Sequence, residues 1–474
     1  SMNPVIPILE IQSKRGQIRA SYSSRMTGIL FSCKPLTVAK DIPEDPTLKQ
    51  ITDVTPFIPH LAEVAKNLIQ YVSDEDLIWA FLGSSLFYNG QGLYDEALPW
   101  CKQCLEVNKK RLGEEHPNFA TSLKELAYTY KSQGRYTKAE PLYLQALELR
   151  QRLLGQKHSD VADILNHLAE LYREQKRYTE AEPLYLQALE LRQHFLQQEN
   201  SAVADILNNL ALLYYFQGRY SEAEPLYLQV LELDQRLLGK EHPDVATSFN
   251  NLGMLYISQG KYSEAELLYV QALELKQYLL GAEHPLVADT LSNLTCLYTS
   301  QGKYSEAELL SLQVLELDQR LLGEKHPNFA ISLNNLAYVY KSQGRYSEAE
   351  PLYVEVLELR RYLLGEEHPD VASSLNNLAV LYLSQVRYSE AETLLIQALA
   401  LRRKLLGEKH PDVASSLNNM AKLYYLQGRY TEAEPLYLQA LEIFEQRLGV
   451  NHSRTIKCRE NLASLRDRLP PNPE

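Results

Sequence analysis

A four-residue pattern, Gln-Gly-Arg-Tyr or a close variant, occurs nine times in this sequence at a fixed interval. The copies begin at residues 91, 133, 175, 217, 259, 301, 343, 385 and 427, which gives a constant 42-residue period. Nine in-register copies without an insertion indicate one structural unit repeated along the chain. Each unit of such an array packs mainly on its neighbours, which allows 474 residues to fold without one large core.

Each unit is predicted to form a pair of helices. In the unit from His242 to Gly281, apolar residues recur at helical spacing within residues 244–258 and again after residue 262. Gly260 separates the two stretches, and glycine readily adopts the left-handed conformation that often ends a helix. Ser263 with Glu266 three residues later is a capping-box pattern, which predicts the start of the second helix. The chain is therefore expected to be an array of helical hairpins.

The segments outside the repeats differ in composition from the array. Residues 1–55 contain several prolines and a basic bias, which predicts a flexible or loosely packed arm. Residues 56–72 are expected to form a helix that caps the first repeat, and residues 73–450 to form nine 42-residue helical hairpins. Residues 451–474 are expected to form a more polar capping helix and a tail, since a solenoid needs capped ends to stay in solution.

Three joints depart from the repeated pattern. Lys176 and Val386 stand where most units have the glycine of Gln-Gly-Arg-Tyr. A β-branched residue strongly resists a left-handed backbone, so the turn at Val386 is expected to differ from the others. Gln197 to Ser201 lack both the usual glycine and the usual His-Pro pair, which predicts a local change in geometry near residue 199.

Composition limits the class of partner. The chain carries 48 Lys and Arg residues against 60 Asp and Glu residues, a formal net charge of −12. Nucleic-acid binding requires clustered cations, so a nucleic-acid partner is not expected. Five cysteines in so long a chain do not form a disulfide framework, which favours a reducing cytoplasm. The sequence has no run of 18 apolar residues, so no membrane span is expected.

No catalytic or metal-binding motif is evident. The sequence lacks a P-loop, a Gly-x-Ser-x-Gly and a His-Glu-x-x-His. Cys101 and Cys104 occupy positions that hold core residues in the other units, which favours packing over redox or metal chemistry. Equivalent residues of successive repeats cannot converge on one ion, so a recurring histidine is expected to be a loop residue. It occurs as His116, His158, His242, His284, His326, His368, His410 and His452. We therefore predict neither an enzyme nor a cofactor.

The hairpins resemble a known repeat family. The small-large pattern of the stretch that begins His-Pro-Asp-Val-Ala at residue 410 resembles the tetratricopeptide repeat, lengthened to a 42-residue unit, and is similar to repeats of kinesin light chains. The resemblance covers roughly residues 73–469 and implies an all-α, right-handed superhelical tetratricopeptide-repeat solenoid. The segment beginning at Phe57 resembles the start of repeat regions in bacterial NB-ARC-type signalling ATPases.

This resemblance implies a protein-protein interaction scaffold that binds a peptide or protein in a concave groove. A cargo adaptor like a kinesin light chain, the sensor region of a signalling ATPase and a purely structural spacer stay open as alternatives. In tetratricopeptide folds the first helix of each hairpin lines the groove. One position on that helix is asparagine in six repeats: Asn166, Asn208, Asn250, Asn334, Asn376 and Asn418. These amides suit the regularly spaced backbone groups of an extended peptide, or else they bridge adjacent helices or contact water.

The variable positions one and two turns further along the first helix are predicted to select the partner. Leu212, Tyr215, Met254 and Ile257 would form an apolar patch in the middle of the groove. Positive charge beside the patch would come from Lys131, Arg173 and Lys341. The predicted partner therefore has hydrophobic anchors next to acidic residues.

Overall fold

A computed structural model describes residues 36, 38, 39, 53–196, 201–450 and 452–468 of the chain. Within these residues the regular secondary structure is helical and contains no strand. The α-helices of this part are α1 (Ile58–Glu63), α2 (Trp79–Asn89), α3 (Tyr94–Leu112), α4 (Pro117–Ser132), α5 (Tyr136–Leu154), α6 (Ser159–Glu174), α7 (Tyr178–Leu196), α8 (Ser201–Phe216), α9 (Tyr220–Leu238), α10 (Pro243–Ser258), α11 (Tyr262–Leu280), α12 (Pro285–Ser300), α13 (Tyr304–Leu321), α14 (Pro327–Ser342), α15 (Tyr346–Leu364), α16 (Pro369–Ser384), α17 (Tyr388–Leu406), α18 (Pro411–Leu426), α19 (Tyr430–Leu448) and α20 (Ser453–Arg466).

The helices divide between two compact units. The first unit comprises the described residues up to Gln91 together with Asp95–Ser122, and the second comprises Gly92–Tyr94 and the described residues from Leu123 onward. From α6 onward each hairpin packs its own two helices together, and each second helix from α5 onward packs on the helix that follows it. The second unit is therefore a stack of helical hairpins, the architecture that the repeat predicts.

The first unit has its own apolar core. Leu61 and Phe81 are buried in this core. The segment expected to be one capping helix is instead α1 followed by a π-helical turn at Val64–Leu68 and a 3₁₀ turn at Ile69–Tyr71. Leu36 and Ala39, which belong to the expected loose arm, are also buried in this core. At least part of the arm is therefore packed.

The recurring histidine caps the start of a helix wherever it occurs. In all eight copies Nδ1 accepts a hydrogen bond from the backbone N–H two residues further on, at 3.1 or 3.2 Å. This side-chain bond satisfies one of the donors that a helix N-terminus leaves unpaired. The histidines are thus helix caps, and no group of residues suited to a metal ion occurs in the described part of the chain.

The first helix ends in a turn with fixed hydrogen bonding. Gly344 has φ +77° and donates its N–H to Lys341, while the N–H of Arg345 reaches the carbonyl of Tyr340. This pair of bonds defines a Schellman motif, which requires a left-handed residue.

The prediction for Val386 is wrong. Val386 has φ +63°, donates to Leu383 at 3.2 Å and is followed by the same long bond, from Arg387 to Tyr382 at 2.9 Å. The turn keeps the common geometry because its two hydrogen bonds and the flanking helices outweigh the residue's preference. Lys176 adopts the left-handed region as well, at φ +55°. The joint at residues 197–200 lies outside the described residues.

A cluster of polar side chains joins neighbouring hairpins. Glu182 accepts hydrogen bonds from Tyr214 and from Arg219 of the next hairpin, at 3.0 and 2.8 Å. The Arg219 guanidinium also lies over the Tyr214 ring and pairs with Glu222 at 2.6 Å. Equivalent sets surround Arg177 and Arg387.

The capping box predicted for the second helix is absent. Helix α11 begins after Lys261, which provides no side-chain cap. Glu266 instead accepts from Tyr298 and Lys303 of the next hairpin, at 3.1 and 3.4 Å. The pattern Ser-x-x-Glu therefore stabilises the stacking of hairpins rather than the start of a helix.

Candidate functional site

The predicted asparagine column forms a ladder of hydrogen bonds between successive first helices. The Oδ1 atom of Asn376 accepts from Nδ2 of Asn419, in the next hairpin, at 2.8 Å. Four further rungs have distances of 2.7 to 3.2 Å and are made by Asn166 with Asn209, Asn208 with Asn251, Asn334 with Asn377, and Asn418 with Asn461. The bridging interpretation is therefore correct for these five residues. Each of them is half-buried and uses its acceptor in the rung, which leaves its Nδ2 donor for another group.

Asn250 departs from the ladder. It is only 6% exposed, and its Nδ2 donates to Oγ1 of Thr290 at 2.9 Å. The same hydroxyl accepts from Lys276 at 3.1 Å. Thr290 thus draws the amide of Asn250 into the contact between hairpins. Asn250 therefore differs from the other five positions, because its donor is used within the fold.

The four residues of the predicted apolar patch lie on α8 and α10. Leu212, Tyr215, Met254 and Ile257 are all half-buried, so each retains part of its surface. The hydroxyl of Tyr215 accepts a hydrogen bond from Ser258 at 3.0 Å, which fixes the ring at the joint between two hairpins. The patch is therefore held in place by the fold.

Two of the three predicted cations are neutralised within the chain. Lys131 is only 6% exposed, and its Nζ lies 2.9 Å from Glu170 and 3.5 Å from Glu174. Arg173 lies 3.6 Å from Glu170. Burial alone would raise the pKa of Glu170, but the neighbouring His167 and Lys131 hold this pKa well below its usual range. Lys131 and Arg173 therefore supply no open positive charge, because acidic side chains of α6 compensate them.

Lys341 is placed differently. It is half-buried, and its Nζ lies 5.3 Å from the centre of the Tyr338 ring. Burial and the nearby Lys422 lower its pKa. Lys341 therefore lies beside an aromatic ring and close to a second basic residue, Lys422.

Distant hairpins of the second unit touch one another at a recurring joint. Nε2 of His368 lies 3.3 Å from the carbonyl oxygen of Ser132, which is 236 residues away. Lys176 pairs with Asp412 across the same separation. One unit further along, the ring of His452 faces Gly218. In each case the turn inside one hairpin meets the His-capped start of a much later helix.

A polar pocket of about 510 Å³ lies at the second of these joints. Four of its residues take part in ladder rungs. The pocket is lined by Lys176, Ser373, Asn376, Asn377, Arg402, Asp412, Ser415, Asn418, Asn419, Phe444, Arg454, Lys457 and Cys458. Sequence reasoning missed this site, because the pairing of Lys176 with Asp412 depends on how the stack winds.

Arg402, on the second helix α17, is the most buried cation of this pocket, at 6% exposed. Its guanidinium donates to Oγ of Ser416 at 2.8 Å and to the carbonyl of Asp412 at 3.0 Å. The Asp412 carboxylate pairs with Lys176 and, at 3.3 Å, with Arg454. Burial would raise the pKa of Asp412, but Lys176 and Arg402 hold it well below its usual range. A signal for this site was present, since the position of Arg402 carries a charged residue in several repeats.

A second pocket, of about 340 Å³, is built two hairpins earlier around the equivalent position. There the residue is Asp318, whose carboxylate accepts a hydrogen bond from Ser332. Ser332 is equivalent to Ser416, which accepts a hydrogen bond from Arg402 in the first pocket. Burial raises the pKa of Asp318 to about 6. Asp289 also lines this pocket. The same position therefore produces a basic pocket in one place and an acidic pocket in another.

The cysteine pair of the first unit is buried. Cys101 is 1% exposed and lies 2.8 Å from Oγ of Ser85, while Cys104 is fully buried and lies 3.4 Å from Oγ of Ser122. Neither cysteine forms a disulfide bond. Their contacts agree with the packing interpretation.

No helix in the described part of the chain is long and apolar enough to cross a membrane.

These features define an all-α solenoid of helical hairpins whose first helices carry an amide ladder. Models of a family described as tetratricopeptide repeat match residues 76–151, 119–194, 202–278, 287–328, 310–362, 328–404, 370–446 and 412–469. The matches cover most of the sequence. The chain belongs to the tetratricopeptide repeat family.

Several solved structures are similar to the chain. The structure of BtubC (BKLC) from P. vanneervenii is 28% identical over 48% of this chain and 91% of that one, with a TM-score of 0.41. A putative kinesin light chain from Podosopora anserina is 30% identical over 44% of this chain and 98% of that one, with a TM-score of 0.37. The match to a Rap protein complexed with competence and sporulation factor covers 80% of this chain and 99% of that one, with 16% identity and a TM-score of 0.51. This likeness is one of fold alone. No curated protein matches the chain.

Proposed function

We propose that this chain is a non-enzymatic interaction scaffold that binds an extended peptide segment along its first helices. The observation that carries the proposal is the use of one amide atom per ladder residue. Each rung employs Oδ1, so Nδ2 of Asn166, Asn208 and Asn334 stays available as a donor at regular spacing. Backbone carbonyls of an extended peptide also recur regularly and accept such donors.

The apolar patch supplies the anchor for this segment. Leu212 and Met254 follow Asn208 and Asn250 by one helical turn, so the patch adjoins the ladder on the same helices. Partly exposed apolar and aromatic side chains on a rigid surface are common anchors in recognition. Asn208 and Asn166 bind the peptide backbone in this arrangement, and the patch selects an apolar side chain.

The experiment removes the donor and keeps the rung. In the double variant Asn166→Asp and Asn208→Asp, the carboxylate oxygen still accepts from the next hairpin, but the Nδ2 donors are lost. Peptides selected by the wild-type chain from a random phage-displayed library provide the probe, and their affinities are measured by fluorescence anisotropy. We expect about a tenfold or greater loss of affinity in the variant, since two hydrogen bonds of about 1 kcal/mol each disappear.

The control places the same two charges elsewhere. Leu186 and Leu228 lie on second helices and are each 46% exposed. The double variant Leu186→Asp and Leu228→Asp should bind the selected peptides as the wild type does. Failure of the library to enrich any peptide, or equal binding by the donor-deficient variant, would refute the proposal.

A further inference from the structure

We propose that the pocket between Lys176, Arg402 and Arg454 is a binding site for a dianionic phosphate or pyrophosphate group of a small soluble molecule. The site is separate from the apolar patch, and it lies where two distant parts of the second unit meet. Its residues come from three hairpins and from the C-terminal helix α20.

The balance of charge in the pocket favours an anion. Four cationic side chains line it, Lys176, Arg402, Arg454 and Lys457, against the single carboxylate of Asp412 among the described lining residues. This local excess stands out in a chain whose formal net charge is −12. Lys457 also pairs with Glu460 outside the pocket, at 3.1 Å. Desolvated charges without full compensation are costly, so an entering dianion would be stabilised here.

The backbone at Lys176 gives a second, independent observation. This residue has φ +55°, a conformation in which lysine is less stable than glycine by about 1 kcal/mol. Gly134 and Gly218 occupy the equivalent turn in the two flanking joints, where no side chain is needed. At the middle joint the lysine reaches Asp412 and lines the pocket. Strained residues of this kind are concentrated at functional sites.

The excess of positive charge in the pocket favours a phosphate over a single carboxylate. Arg402 is fixed by Ser416 and by the backbone of Asp412, and Arg454 is held at 3.3 Å from the Asp412 carboxylate. Guanidinium groups bind phosphate oxygens in pairs of parallel hydrogen bonds. The ladder residues Asn376 and Asn418 add amide donors at the wall. A carboxylate would offset one positive charge, whereas a phosphate offsets two or more.

Isothermal titration with inorganic pyrophosphate at low ionic strength tests the site. The double variant Lys176→Gly and Arg454→Met is chosen because glycine restores the common turn and Arg454 is 48% exposed on its side chain. We expect the wild type to bind pyrophosphate and the affinity of the variant to be lower by about tenfold or more. Circular dichroism checks that the variant keeps its helix content.

The control removes two positive charges outside the pocket. In Lys404→Met and Arg459→Met the lost side chains are 61% and 48% exposed. Unchanged affinity in this control, together with weakened binding in the pocket variant, supports the site. If the wild type shows no binding up to about 10 mM, or if both double variants are weakened equally, the proposal is wrong. Inorganic phosphate and a nucleoside diphosphate, titrated in parallel, distinguish a site for the bare anion from one that also holds the rest of the molecule.

Discussion

Replacement of Gly134 by alanine tests the contact between distant hairpins of the second unit. Gly134 has φ +67°, and an added Cβ would lie 2.5 Å from Cδ of Pro369 and 3.2 Å from Cδ2 of His368. The first separation is far inside van der Waals contact, so one backbone segment must move. We expect a cost of about 1 kcal/mol for the left-handed alanine and about 1–3 kcal/mol more for the overpacking.

Gly344→Ala is the matched control. Gly344 occupies the same position of its hairpin at φ +77°, but no atom lies within 4 Å of the Cβ that would be added. This variant therefore incurs only the left-handed cost. The difference between the two variants, about 1–3 kcal/mol in the free energy of unfolding, isolates the contact. Urea unfolding followed by circular dichroism measures both, with the midpoint and the slope reported separately.

A double-mutant cycle with Pro369→Ala sharpens the test. The alanine lacks the ring atom Cδ that clashes, so the two substitutions should couple by about 1 kcal/mol or more. If Gly134→Ala and Gly344→Ala were equally destabilising and Pro369→Ala showed no coupling, the distant hairpins would not touch in solution. The reasoning about the joint, and with it the basis of the basic pocket, would then be refuted.

Three further predictions concern single residues. Val386→Gly should raise the free energy of unfolding by about 1 kcal/mol in urea unfolding, because it relieves a β-branched residue at φ +63° that is 65% exposed. Asn377→Ala should lower it by about 1 kcal/mol in the same assay, since Asn334 loses its rung partner. Burial lowers the pKa of His410 to about 4. The neutral form of this histidine therefore stabilises the native state fully above pH ~6.5. This stabilisation, about 3 kcal/mol, is lost as the pH falls from about 6.5 to about 4. His410→Asn, which retains a capping side chain, should flatten that part of the stability profile; an unchanged slope would contradict the assigned environment.

The hairpins could be predicted from the sequence because the interactions that define them are local. Apolar spacing, the His-Pro start and the turn glycine all act within a single repeat, and the repetition tests each interpretation several times over. The turn at Val386 shows where local reasoning fails. A preference of about 1–2 kcal/mol for one residue cannot displace two backbone hydrogen bonds between packed helices.

The ladder was predictable as a column, but its chemistry was not. The sequence left open whether these asparagines bind a peptide or bridge adjacent helices. The structure shows the bridge, since Asn376 accepts from Asn419, and it also places Asn376 in the lining of a pocket. Which amide atom serves the rung depends on the rotation of one helix against the next. That rotation arises from packing and cannot be read from the spacing of residues.

The joints between distant hairpins lay beyond sequence reasoning for a geometric reason. A separation of 236 residues is not a whole number of repeats. It follows from the winding of the stack, which brings a turn onto a helix start. Within its own unit, nothing explains why Lys176 replaces the glycine of the repeat. Its ion pair with Asp412 of a distant hairpin gives the explanation.

In this repeated fold, the residues that determine the charge of a pocket differ from the residues that determine the architecture. Arg402 and Asp318 occupy the same position on equivalent helices and bond to equivalent serines, yet one lines a pocket with four cations and the other a pocket whose described lining has none. Since the scaffold at both places is the same, the difference arises from side chains alone. The exchange of charge at this one position is therefore expected to change which ion the wall attracts while leaving the hairpins in place. A helical array can thus carry several unlike sites, each determined by residues that the repeat itself does not require.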